Sequence, residues 1–198
     1  MGQDGLAARY KQARRLNASL VFIDETGLLM APLVRRTWAP RGQTPILYQR
    51  TRSHDKVSVI GALTLSPRRT RVGLYFALLP GENAKAGHFR RFLADLRRHL
   101  QRPLVVVWDR LAGHRAQELR EALDRSGRVH LEFLPPYAPE LNPVEMLWGY
   151  VKMNPLANHP ATHAPQLAQR AQRHFLDLRH RPALLRSFFR ATPLFSRL

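Results

Sequence analysis

One run of five apolar residues constrains this chain most: Leu104-Val105-Val106-Val107-Trp108, opened by Pro103 and closed by Asp109. Its length and β-branched content predict a strand. Its lack of polar alternation predicts burial on both faces. A shorter run, Leu20-Val21-Phe22-Ile23, reads the same way and closes on Asp24. Strands covered on both sides call for helices on both faces of their sheet.

The rest of the chain supplies those elements. Val57 to Leu65 and Val72 to Leu79 are strand candidates either side of the turn-like Ser66-Pro67-Arg68-Arg69, and with the first run they suggest an antiparallel meander. From Lys85 to Leu100 the period changes: Phe89, Phe92, Leu93, Leu96 and Leu100 recur at helical spacing. His114 to Arg125 reads as a helix stopped by Gly127, and Val129 to Leu134 as a strand. Pro135 to Pro139 must be a loop, because proline cannot join a regular ladder. A helix then starts at Asn142-Pro143 and runs to about Lys152, and Ala164 to Phe189 is helical, interrupted at Pro182. Residues 33–50 hold Trp38, Pro40, Gly42 and Pro45 and suit a hairpin. The expected class is α/β: a three-strand antiparallel meander, then alternating helices and strands, in a mixed sheet flanked by helices. The expected parts are a basic lead-in over 1–17, a folded domain over 18–155, and a basic helical tail over 156–198 packed on or next to it.

Charge narrows the function. Lys and Arg number 32 against 14 acids, a formal +18, which attracts polyanions and above all nucleic acid. There is no cysteine, so disulfides, thiol catalysis and Cys-ligated zinc are excluded. No apolar run approaches the roughly 20 residues that span a bilayer, and Met1 to Arg15 does not read as a secretory signal. The expected compartment is a bacterial cytoplasm, at the nucleoid, with no membrane partner.

With so few acids, their placement is informative. Asp24 and Asp109 each follow a buried-looking strand, and ligands in open α/β sheets gather beyond the carboxyl ends of strands. Carboxylates suit hard cations such as magnesium or manganese, and two such ions can clamp both oxygens of a phosphodiester displacement. Glu145 lies three residues past Asn142, which is also the spacing of a capping box. Acids at strand ends are common in turns as well. Spacing alone favours the structural reading for each residue taken singly, a cap for Glu145 and a turn for Asp24 and Asp109.

Three motifs then carry a resemblance. Phe22-Ile23-Asp24-Glu25-Thr26-Gly27, Trp108-Asp109 with His114 five residues on, and the string Leu134-Pro135-Pro136-Tyr137-Ala138-Pro139-Glu140-Leu141-Asn142-Pro143-Val144-Glu145, followed by Trp148 and Lys152, closely resemble the DDE domain of the Tc1/mariner and insertion-sequence 630 transposase superfamily. The resemblance covers roughly residues 18 to 155. It implies a ribonuclease-H-like fold, with Asp24, Asp109 and Glu145 as catalytic residues holding two Mg2+ or Mn2+ ions. The implied reaction is hydrolysis at transposon ends followed by strand transfer into target DNA. His114, Lys152 and Arg110 are the expected DNA contacts, Arg110 standing where the family usually has Asn. Fewer than 24 residues precede Asp24, too few for the family's usual helix-turn-helix region. The expected partners are therefore DNA, a separate helix-turn-helix polypeptide and a second copy of the chain. The alternatives are a silent remnant that only binds DNA and a standalone ribonuclease-H-like nuclease.

Other residues carry weaker signals. Trp148 is expected to pack its helix on the sheet. Trp38, among Arg35, Arg36 and Arg41, suits DNA contact, but a hairpin Trp is more often core. His159 and His163 have i, i+4 spacing but Pro160 between them, so a zinc site is rejected. The tail arginines Arg170, Arg173, Arg179, Arg181, Arg186 and Arg190 suit either a DNA contact or a solvated face.

Overall fold

The computed structural model describes residues 13–31, 33–48, 55–109 and 127–195. Five strands form one sheet in the order β3-β2-β1-β4-β5: β1 Ser19–Leu29, β2 Lys56–Leu65, β3 Val72–Pro80, β4 Leu104–Trp108 and β5 Val129–Phe133. β1, β2 and β3 pair antiparallel, while β4 pairs parallel with both β1 and β5. The expected meander and mixed sheet are both present. The predicted lead-in through residue 12 and the predicted helix from His114 to Arg125 lie outside the described residues.

Both faces of the sheet are covered, as the unbroken apolar runs require. In β1, Leu20 and Phe22 join one apolar cluster while Val21 and Ile23 join the other. Val105 and Val107 of β4 face the first cluster, Val106 and Trp108 the second. Helix α1 (Ala86–Leu100) covers the second face with Phe89, Phe92, Leu93 and Leu96. Helices α2 (Pro143–Met153), α3 (Ala164–Arg179) and α4 (Pro182–Arg190) cover the first. Each fully buried Leu, Val or Phe contributes about 1.5–3 kcal/mol.

Two expectations need correction. First, β1 does not stop at Asp24; it runs five residues further, to Leu29. It can do so because β2 continues to pair with it, from Leu20↔Leu65 to Leu29↔Lys56. Second, residues 33–48 contain no strand. The start of this segment is strapped instead to the end of α2 and the loop that follows it. Arg35 N–H donates to Asn158 Oδ1 at 2.7 Å, Asn158 Nδ2 donates back to Arg35 O at 2.8 Å, and Arg35 Nη1 donates to Met153 O at 2.7 Å. Trp38 is 99% exposed, so it is not a core residue. The tail helices pack on the sheet. Phe175, Leu178, Leu185 and Phe189 belong to the same cluster as Phe22, and Phe22 meets Phe189 edge-on at 5.9 Å. Three tail arginines bond to backbone carbonyls: Arg170 to His159 O, Arg179 to Leu74 O, and Arg186 to Arg69 O and Thr70 O.

Candidate active site

The sheet brings the two aspartates level. β1 and β4 pair in parallel up to Phe22↔Val107, and continuing that register by two residues sets Asp24 beside Asp109. Neighbouring strands lie about 4.8 Å apart. Phe22 and Val107 face the cluster under α2, and side chains alternate along a strand, so Asp24 turns toward α2. Asp109 lies just past the end of β4.

Glu145 arrives from α2. The Asn142 side chain caps this helix, accepting from Val144 N–H at 3.2 Å, with Pro143 at the first helical position. A full capping box would spend the Glu145 carboxylate on Asn142 N–H. That donor goes to Pro139 O at 2.9 Å instead, within the short 3-10 turn Pro139–Leu141. Asn142 is buried, and its Nδ2 donates to Ile23 O at 3.3 Å, one residue before Asp24. One side chain thus starts the helix and pins its first turn to the strand that carries Asp24.

Glu145 and Asp109 line a single cleft of about 380 Å3 with the loop Leu134 to Pro139 and Asn142. Tyr137 stands fully exposed in that loop, at φ 56. Its position as the lone aromatic among prolines was visible in the sequence, but only the cleft shows that it borders the acids.

Asp24 is buried, at 7% exposure, and its Oδ2 accepts from Trp148 Nε1 at 2.7 Å. Trp148 packs α2 on the sheet as expected, meeting Phe175 edge-on at 6.2 Å, and in addition holds a carboxylate. No sequence signal linked the two. Gly61 makes the arrangement possible. It pairs with Asp24 across β1 and β2, and a Cβ there would overlap the Trp148 ring, only 2.9 Å from Cζ2. Lys152 Nζ donates to Thr26 Oγ1 at 2.6 Å, on the same helix face and two residues past Asp24.

The electrostatics show one shared acidic field. Burial pushes the Asp24 carboxyl up from 3.8 to about 7; the Trp148 hydrogen bond opposes this, and Glu145, Asp109 and Glu25 add to it by repulsion. Glu145 is also raised, first by burial, with Lys152 opposing and Asp109 adding. Among the described residues, no three His, Cys, Asp or Glu side chains converge tightly enough to hold one ion. The oxygen donors nonetheless suit a hard cation, which would relieve the repulsion that raises them. Of the other expected residues, Arg110 and His114 lie outside the described residues.

The profile of the DDE superfamily endonucleases matches residues 19–168. No curated protein sequence matches significantly. Among solved structures, the mariner Mos1 paired-end complex with Mg is similar over 98% of this chain, with 21% identity and a TM-score of 0.65. The Mos1 paired-end complex with Mn gives 19% identity over 96% of the chain and a TM-score of 0.64. The Mos1 transposase complex with the left transposon end gives 19% over 94%, with a TM-score of 0.61. This chain spans 58%, 55% and 59% of those chains respectively. At such identity the likeness establishes the fold, which is the ribonuclease-H-like one expected from the motifs.

Proposed function

Since the chain belongs to the DDE superfamily endonucleases, with a match over residues 19–168, we propose that it is the catalytic domain of a DNA transposase, cutting DNA at element ends and joining them to a target. The observation that carries this reading is the meeting of Asp24, Asp109 and Glu145 in one acidic field within a chain of net charge +18. Basic surface attracts the DNA, and an acidic cleft accepts cations inside it.

Asp24, Asp109 and Glu145 would hold two Mg2+ or Mn2+ ions, and the Mos1 complexes named above contain those metals. Bound there, such ions supply an activated oxygen nucleophile and charge neutralisation at the scissile phosphate. The protein's own part is placement. Asn142 fixes the first turn of α2 against β1, which aims Glu145 into the cleft. Trp148 orients Asp24. Lys152, anchored on Thr26, sets a cation beside the acids, where a DNA phosphate would approach. Arg110, His114 and the exposed Trp38 complete the proposed DNA contacts. A helix-turn-helix polypeptide and a second copy of the chain are the proposed partners, and the cytoplasm the proposed compartment. No helix among the described residues is long and apolar enough to cross a membrane.

The test uses a supercoiled plasmid carrying the DNA that flanks this reading frame. With Mg2+ or Mn2+, and with any helix-turn-helix polypeptide encoded alongside, the wild-type chain should nick it. Asp109→Ala and Glu145→Gln should not. A wild-type chain inert under both metals sinks the reading, as does cutting that survives Asp109→Ala. Cutting without regard to the flanking sequence would mark a general nuclease instead.

A further inference from the structure

Helix α2 is tied to β1 by side-chain bonds that climb both elements together. Asn142 Nδ2 donates to Ile23 O at 3.3 Å, Trp148 Nε1 to Asp24 Oδ2 at 2.7 Å, and Lys152 Nζ to Thr26 Oγ1 at 2.6 Å. The last two keep step for a geometric reason. Four residues of helix rise about 6 Å, and two residues of strand about 6.6 Å. Asp24 and Thr26 share a face of β1 because side chains alternate along a strand. Thr26 is available at that level because β1 continues past Asp24, where Thr26 pairs with Val59 of β2.

The partner of Lys152 is a hydroxyl, although carboxylates stand close by. A carboxylate holds an ammonium group more strongly than a hydroxyl does. The Lys152 charge reaches Glu145, where it opposes the upward shift caused by burial. Side chains on a helix lean toward its N-terminus, so the long Lys152 stem leans back along α2 toward Glu145, about two turns away. Glu145 and Asp109 line the acidic cleft, while Lys152 and Thr26 lie outside its lining. The bond to Thr26 thus holds the ammonium at the level beyond Asp24.

We propose that Thr26 is a positioning residue for the metal site: its hydroxyl keeps the Lys152 ammonium out of the cleft and leaves Glu145 and Asp109 to a divalent cation. An ammonium inside the cleft would compete with the metal for the same oxygens. Held on Thr26, it keeps two further N–H donors for an approaching phosphate. The inference rests on the metal-binding reading of the three acids.

Metal affinity tests it, without DNA and without cleavage. The full chain is titrated with Mn2+ by calorimetry. Thr26→Val removes the hydroxyl and keeps the β-branched shape that suits a strand. It should weaken Mn2+ binding at least about threefold, a modest figure because Lys152 is only half-buried. Thr26→Ser keeps the hydroxyl and should bind as the wild type does. Lys152→Met alone should bind no more weakly than wild type. The decisive variant is Thr26→Val/Lys152→Met, which should match Lys152→Met, because no ammonium is left to stray. Unchanged affinity in Thr26→Val overturns the proposal. A loss that persists in the double variant also overturns it, and would make Thr26 a structural residue of β1. Melting temperature checks each fold, and Thr26→Ala takes the place of Thr26→Val should that variant not fold. Wild-type chain that binds Mn2+ with Thr26→Val unaffected sinks this inference alone; wild-type chain that takes up no Mn2+ sinks the metal reading with it.

Discussion

At the scale of single residues, the Asp24–Trp148 hydrogen bond organises the site. A hydrogen bond to a charged acceptor contributes about 1.5–3 kcal/mol. Trp148→Phe keeps an aromatic ring at this position but removes the donor to Asp24. Because that bond opposes the upward shift of Asp24, its loss should raise the carboxyl further above about 7. Cleavage by the variant should therefore have a pH profile displaced to higher pH and need more Mg2+, beyond the fall in melting temperature that the smaller ring causes. An unchanged profile would reduce Trp148 to a packing residue. Tyr137 offers a second test at this scale. It is exposed beside the cleft and suits stacking on an unpaired base, worth about 1–3 kcal/mol. Tyr137→Ala should weaken binding of DNA with a single-stranded end by roughly tenfold while blunt duplex binds as before.

At the scale of elements, β2 and α2 depend on each other through Gly61. An added methyl must displace the Trp148 ring, and overpacking of this kind costs about 1–3 kcal/mol. Gly61→Ala should lower stability by that amount and cleavage more steeply, since the ring carries the donor to Asp24. A control such as Gly149→Ala, whose Cβ would meet nothing within 4 Å, should leave both intact. Equal activity in Gly61→Ala and wild type would refute the coupling. The elements themselves were mostly legible in the sequence. The five-residue run of β4, the helical spacing of α1 and the Asn142-Pro143 start of α2 are local patterns, read within a few residues. The expected hairpin over residues 33–50 failed because turn-rich composition permits a hairpin without supplying the alternating strands that hold one.

At the scale of the whole molecule, pH and cation are linked through Asp24. Its folded carboxyl titrates near 7 and its ordinary value is 3.8. Between those values the folded chain keeps a proton that the unfolded chain has lost. This contribution to stability is complete below about 3.8 and disappears as pH rises through about 7, at most on the order of 4 kcal/mol. Without divalent cation, melting temperature should therefore fall from pH 5.5 to pH 8 by more in the wild-type chain than in Asp24→Asn. Added Mg2+ should raise it more at pH 8 than at pH 5.5, because only the carboxylate form binds. A stabilisation by Mg2+ that is equal at both pH values would count against Asp24 as a ligand. The tail belongs to this scale too. Read alone, its arginines suggested a solvated or DNA-facing helix, yet Phe175, Leu178, Leu185 and Phe189 complete the core under β1.

By itself, the sequence determined which segments become strands and helices, because hydrophobic periodicity is local. It also supplied the three acids, through the motif string around Glu145. Tertiary structure alone decided what those acids do to one another. Asp24 and Trp148 stand 124 residues apart, and Lys152 and Thr26 126, so no local pattern links them. Their meeting follows from the parallel register of β1 on β4 and from the seating of α2 over Gly61. For Glu145, spacing alone favours a cap. The fold overrides this by giving Asn142 N–H another acceptor, which leaves the Glu145 carboxylate to the cleft.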